Sequence, residues 1–469
     1  MNLALDSADP RPLPVQIAAG IRNLVATGAL LPGERIDSTR ALSAQLGVSR
    51  GTVVTAFDQL IAEGYLVAES GSGTRINPRV QPTRPPRAPA QAPAPPARAR
   101  VELTPGLPDT AGLITPEWRA AWREAAVLAD APSLPHQVSL HLLHMRGLAA
   151  EPERILITAG AREGLALLLR GKPQRSGRQR SGPQRSGPLR IGVESPGYPS
   201  LRKVPAALGH ELVDVPTDSE GVQVPDQPLD ALIVTPSHQY PYGESLSAAR
   251  RTELVAWARA NHALLIEDDF DSELRYVGQP LPALATLEPE RTVLLGTFSS
   301  VISPDIACGF MVAPPHLVEE LRVQRQLFGP TVSSITQAAL AGFLASGALR
   351  RHTGKMRRAY RRRRDLVTNT FAHIPGVELL PIHGGLHAVL LCQRPAREAV
   401  HRAGERGIGL TALADYWGGE AAPNGVVLGF GHLSDVELAL ALGVVAESAG
   451  TDPGTESGTE PAAARRPHG

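Results

Sequence analysis

Five short apolar runs, at residues 154–158, 189–193, 231–235, 263–267 and 292–296, recur between segments of helical periodicity such as 247–261. Each run is continuous, not alternating, and rich in branched side chains. A strand with one face in water would alternate, so these runs suit strands buried on both faces. Strands of that kind separated by helices predict an α/β fold with a mostly parallel sheet. In such sheets the chemistry collects at the carboxyl ends of the strands. The chain has 469 residues, 42% of them hydrophobic, which is too long for one ordinary domain and enough for a sizeable core.

Three segments of biased composition divide the chain. Residues 78–100 are rich in proline and alanine with scattered arginine, and read as a semi-rigid linker. Residues 172–188 repeat Gln-Arg-Ser-Gly, offer nothing apolar to bury, and read as a low-complexity surface insertion. Residues 449–469 are rich in Gly, Thr, Glu and Pro and read as a disordered tail. A small domain over 1–77 and a large one over 101–448 remain. The N-terminus lacks the basic start and apolar stretch of a signal peptide, and no apolar run reaches membrane length. The two cysteines, Cys308 and Cys392, form no CxxC pair, which fits a reducing compartment. The expectation is a cytoplasmic protein. With 47 basic and 46 acidic residues, net charge argues neither for nor against nucleic acid.

In the small domain, residues 14–28 place Ile17, Ile21, Leu24 and Val25 on one helical face. Ser38 precedes a second helix with Leu42 and Leu46 inward. Ser49 caps a third, with Val53, Phe57, Leu60 and Ile61 inward. Residues 65–67 and 71–76 read as a β-wing. Helix, turn, helix and wing place the start of the third helix where it can enter a major groove. The candidate DNA-binding residues are Ser38, Thr39, Arg40, Ser49, Arg50, Gly51, Thr52, Thr55, Gly71, Ser72, Gly73 and Thr74. Arg50 can grip a phosphate or a guanine edge. Residues 1–77 hold six arginines against seven acids, so the electrostatic term is weak. The same helices also suit a small protein-binding module.

The stretch PGERIDSTRALSAQLGVSRGTVVTAFDQLIAEGYLVAESGSGTRI resembles the winged helix-turn-helix of the GntR superfamily, with Asp37 where members often carry proline. In the large domain, ESPGYPS (194–200), TPSHQYPYG (235–243), IEDDFDSELRY (266–276) and GTFSS (296–300) are similar to the MocR/PdxR subfamily. That subfamily joins a GntR-type domain to a type-I aminotransferase-like domain through a linker, in the order found here. The resemblance implies a pyridoxal phosphate site. Asp268 would face the pyridinium nitrogen and Tyr198 would stack on the ring. The Gly160-Ala161-Arg162 turn would hold the phosphate, and His238 and Gln239 would lie near the ring. On the same resemblance Phe270, Thr297, Ser299 and Ser300 would also belong to the pocket.

Several family positions are altered. The Schiff-base lysine falls on Ser300, the following arginine on Ala307, and the tyrosine of EDDYDSE on Phe270. The GYGDPxG segment has no counterpart between Asp130 and Leu148, and an arginine that some members use for a substrate carboxylate aligns with His432. The three lysines, Lys172, Lys203 and Lys355, all lie away from the expected strand end. A serine hydroxyl cannot trap an aldehyde as an imine. Covalent cofactor attachment and a catalytic residue are therefore not expected. The arginine-rich run 350–364 reads as a solvated face that pairs with acids, with DNA contact as the alternative. The acids 267–271 read as part of the family motif, not a metal site, and His141 and His144 as helix-surface residues. The implied function is a DNA-binding regulator that acts as a head-to-tail homodimer on an operator. Its degenerate effector domain would be sensitive to a B6 vitamer or an amino acid. An active pyridoxal-phosphate aminotransferase and a ligand-indifferent scaffold are the competing readings.

Overall fold

The computed structural model describes residues 3, 5–6, 9–69, 73–80, 101–127, 132–170, 187–278, 281–417 and 423–451. Most of the linker and insertion, and the tail beyond 451, lie outside these residues, as do Gly71, Ser72 and Lys172. The chain divides into two compact units, Met1–Pro96 and Ala97–Gly469.

The first unit holds helices Leu13–Ala26, Thr39–Leu46 and Arg50–Ala62 and an antiparallel hairpin of Leu66–Glu69 with Gly73–Ile76. Ser38 and Ser49 cap the second and third helices, each accepting from the amide three residues on, Ala41 at 3.2 Å and Thr52 at 3.1 Å. Gly47, in the left-handed region at φ 66°, turns the chain between them. Ile17, Ile21, Leu42, Val53, Phe57 and Leu60 form the core. Ile61 is a correction: it is 39% exposed, and Ala56 fills the inner position instead. One residue is about 100° on a helix, so Ile61 is carried off the stripe that Leu60 ends.

The second unit is built on an eight-stranded sheet. In spatial order its strands are Ile155–Thr158, Gly309–Val312, Thr292–Thr297, Leu264–Asp269, Ala231–Val234, Arg190–Ser195, Glu211–Asp218 and Gly221–Val222. The central pairings are parallel and the edges antiparallel. Leu264–Asp269 is buried from Leu264 to Asp268, as a strand covered by helices on both sides must be. Apolar clusters occupy both faces. Because five neighbouring strands run the same way, the ends of four of them, Ser195, Val234, Asp269 and Thr297, lie at one edge of the sheet.

A smaller antiparallel sheet joins Val377–Leu379, His387–Cys392, Gly425–Gly429 and Thr411–Ala412. Helix Ala348–Phe371 precedes it. Helix Asp435–Ala449, opened by a Ser434–Glu437 capping box, follows. This last helix runs through Ala449, so ordered chain extends past the boundary expected at 448. No helix among the described residues is long and apolar enough to cross a membrane.

Candidate functional site

The strand-end edge gathers most of the large-domain residues singled out from the sequence. Asp268, next to last in its strand, is 3% exposed. Its Oδ1 is buried and has no hydrogen-bond partner among the described residues. Burial drives its carboxyl well above the usual range, and Asp269, Glu194, Asp271 and Glu267 add to the shift. Glu194, next to last in strand Arg190–Ser195 and two strands away in the sheet, accepts from the Thr235 amide at 2.8 Å and from the Thr235 hydroxyl. Burial pushes its carboxyl up to about 7 against those two donors.

Tyr198 stands at the start of helix Pro199–Ala207, 41% exposed, edge-on to Tyr240 at 5.3 Å. A small cavity there is lined by Glu194, Gly197, Tyr198, Arg202, Thr235 and Asp268. Gln239 is buried, and its Nε2 donates to the carbonyls of Pro196 (2.8 Å) and Tyr240 (2.7 Å), tying two strand-end loops together. His238 Nδ1 lies 2.6 Å from Asp271 Oδ2, and its ring stacks on Phe270 at 5.8 Å. His387 meets the same group from the small sheet, its Nε2 donating to the Pro241 carbonyl at 2.9 Å. Burial, then His238, pushes the His387 imidazole down to about 3, so it is neutral.

On the other side, the Thr297 hydroxyl donates to Ser299 Oγ at 2.9 Å and accepts from the Ser299 amide at 3.1 Å. Gly160, at φ +97°, faces Thr297 Oγ1 immediately before helix Ala161–Arg170. Hydroxyls beside helix N-terminal amides suit a phosphate. A buried acceptor with nothing to accept from, beside an aromatic ring, suits a protonated ring nitrogen. These residues fit the phosphate and pyridine of pyridoxal phosphate. Ser300, 7% exposed, offers no amine for its aldehyde, and Lys203 and Lys355 are both exposed. No group of three His, Cys, Asp or Glu among the described residues is arranged to hold a metal ion.

In the N-terminal unit, Ser38, Arg40, Ser49, Arg50, Gly51 and Thr55 are exposed, and Thr39 and Thr52 are half-buried. Thr52 Oγ1 lies 2.8 Å from Ser49 Oγ, and Thr55 donates to the Gly51 carbonyl at 3.0 Å. Arg50 is left at the helix tip. Gly73 and Thr74 open the second strand of the wing.

A model of bacterial regulatory proteins of the gntR family matches residues 13–76, and one of aminotransferase class I and II matches 140–414. The chain is 28% identical, over 78% of each chain, to the probable rhizopine catabolism regulatory protein MocR of Rhizobium meliloti. It is 52% identical to the HTH-type pyridoxine biosynthesis transcriptional regulator PdxR of Corynebacterium glutamicum, over 96% of this chain and 98% of that one. The chain belongs to the MocR/PdxR-type GntR regulators. The large unit of this MocR/PdxR-type regulator shares its fold with an archaeal alanine:glyoxylate aminotransferase. The TM-score is 0.67 at 20% identity, covering 76% of this chain and 91% of the other.

Two further residues expected in the pocket of this MocR/PdxR-type regulator are more open to solvent than Asp268. Arg162 is exposed. His432 has Arg363, Asp109, Glu437 and the Glu102 backbone as its electrostatic neighbours, and its Nδ1 is buried with no hydrogen-bond partner among the described residues. His141 is a further correction. It is not a free surface residue but pairs with Glu273 at 2.7 Å, its side chain 12% exposed. Arg146 was missed altogether. Its buried guanidinium bonds Glu267 at 3.0 Å, Asp269, Ser272 Oγ at 2.8 Å and Ser237 Oγ at 3.0 Å. An arginine in a last helical turn reads as a complement to the helix dipole, so nothing local marked it.

Proposed function

We propose that this chain is a ligand-responsive transcriptional regulator whose large unit takes up a B6 vitamer without covalent bonding and performs no transamination. The observation that carries the reading is the pairing of an intact ring-nitrogen acceptor, Asp268 Oδ1, with a hydroxyl at Ser300. Pyridoxal phosphate supplies an aldehyde for a primary amine to capture, and a serine is not such a partner. Asp268, Tyr198, Thr297, Ser299 and the amides after Gly160 hold the ligand. Ala307, at the position where the resemblance gives an arginine, leaves the phosphate one charge-assisted bond short, about 1.5–3 kcal/mol. A relative named for pyridoxine biosynthesis at 52% identity supports a vitamer over an unrelated effector.

The winged helix binds an operator through Arg50 and the capped starts of its second and third helices. Linking two such modest modules raises their effective concentration on adjacent half-sites. A head-to-tail homodimer supplies that link. Exposed Leu140 and Leu143 on one helix, and Leu327 and Phe328 at the end of another, are apolar surface for it. Ligand binding shifts the placement of the two winged helices by its differential affinity for the two arrangements.

The deciding experiment mixes the purified full chain with pyridoxal phosphate. Absorbance, mass after borohydride, and DNA affinity are then followed together. Saturable binding with no borohydride-fixed mass and altered DNA affinity is expected. A fixed vitamin adduct on a lysine overturns the non-covalent reading, and no binding at all overturns the effector assignment.

A further inference from the structure

The densest positive charge in this chain lies outside the winged helix. Residues 1–77 are one charge short of neutral, whereas residues 350–364 hold eight arginines and one lysine with no acid. Helix Ala348–Phe371 carries that run. Its inner face is fixed by Leu349, Met356, Tyr360, Val367 and Phe371. Arg363 also turns inward, 2.7 Å from Asp109 and 3.0 Å from Asp435.

The outer residues are arranged differently. At about 100° per residue, Arg351, Lys355, Arg358 and Arg362 fall within an arc of roughly 60° and climb about 16 Å along the axis. All four are exposed. Arg351 and Arg362 approach acids only loosely, Glu117 at 4.0 Å and Asp435 at 3.6 Å, with side chains 60% and 64% exposed. Lys355 and Arg358 have no acid within 4.0 Å among the described residues. Like charges spaced three and four apart repel and weaken a helix, so nothing within the helix itself accounts for this stripe.

We propose that the stripe is a second DNA contact, made to the phosphate backbone by the aminotransferase-like unit. One duplex strand presents a phosphate every ~3.4 Å of axis, so the stripe is long enough to face four or five of them. Such a contact is blind to sequence and adds the counterion release that the near-neutral winged helix lacks. The proposal rests on DNA being the partner of the N-terminal unit.

The test measures binding of the full chain to a mixed-sequence duplex of about 60 base pairs across a salt series. The unaltered chain is compared with R351Q/K355Q/R358Q/R362Q, with the charge-keeping R351K/K355R/R358K/R362K, and with R50A. Neutralisation is expected to lower the log–log salt slope by about 3 to 4 per chain and to weaken binding at least tenfold at 100 mM salt, while the charge-keeping variant retains both. An unchanged slope in the neutralised variant overturns the proposal, whatever else that variant loses, including contact with an acidic protein. Equal loss in the charge-keeping variant also overturns it, because packing and not charge would be responsible. R50A without effect, beside a lowered slope in the neutralised variant, would fault the winged-helix reading instead.

Discussion

Arg146 holds Glu267 at 3.0 Å with side chains only 2% and 0% exposed, one residue from the carboxylate expected to meet the ligand. The pair anchors a helix end to the strand that carries Asp268. The same guanidinium also engages Asp269, so two acids flanking Asp268 share one cation. A buried pair contributes little net stability over an apolar pair, but breaking it leaves buried charge uncompensated.

Replacing Arg146 with methionine should therefore destabilise the large unit by about 3–5 kcal/mol. The triple variant R146M/E267Q/D269N should recover a good part of that loss, since no charge is then stranded. Urea unfolding midpoints decide it. A single variant as stable as the parent would mean that water, not Arg146, compensates the acids.

Glu194 gives a pH signature. Its carboxyl is raised from 4.5 to about 7 by burial, so between those values the folded chain keeps a proton that the unfolded chain has released. Stability must then fall as pH rises through that window, by something on the order of 2–3 kcal/mol from this group. E194Q should flatten the curve there. The comparison to make is parent minus variant in urea stability at pH 4.5, 6 and 7.5. Parallel curves would show that Glu194 stays ionised.

The proposed loss of the Schiff-base lysine can be tested by restoring it. Ser300→Lys with Ala307→Arg should give a chain that turns yellow with pyridoxal phosphate and carries the vitamin after borohydride, at near one equivalent. The parent should do neither. The arginine alone should tighten phosphate-bearing ligands roughly tenfold or more, a charge-assisted bond contributing about 1.5–3 kcal/mol. Ala307 already sits in the left-handed region at φ 44°, so arginine there adds no new class of backbone strain. A colourless double variant would mean that the strand end no longer points at the pocket.

The parallel sheet was legible because strands buried on both faces leave unbroken apolar runs, and each of the five runs contains part of a strand. The caps at Ser38 and Ser49 were legible because a hydroxyl followed by helical spacing is a local signal. Arg146 was not, because its partner Glu267 lies 121 residues away and only the fold brings them together. Ile61 was misplaced because it is apolar, although its helical phase carries it off the stripe that Leu60 ends. His432 was placed by alignment to a position whose surroundings, Asp109 and Arg363, come from distant segments.

The winged helix offers a prediction that separates folding from recognition. Ser49 closes the start of the third helix by accepting from Thr52, and Arg50 follows it, exposed at the tip. Ser49→Ala should lower the stability of the N-terminal unit by about 0.5–2 kcal/mol. Arg50→Ala should leave stability within about 0.5 kcal/mol, as an exposed side chain away from special features does. On DNA the order reverses. Arg50→Ala should cost about 1–3 kcal/mol on an operator if it reads a base, or reduce the salt slope by about 1 if it only grips a phosphate. Thermal unfolding and salt-dependent binding of the two variants, run side by side, distinguish these roles. A stability loss for Arg50→Ala as large as for Ser49→Ala would assign that arginine to the fold and move recognition to Thr39, Arg40 and the wing.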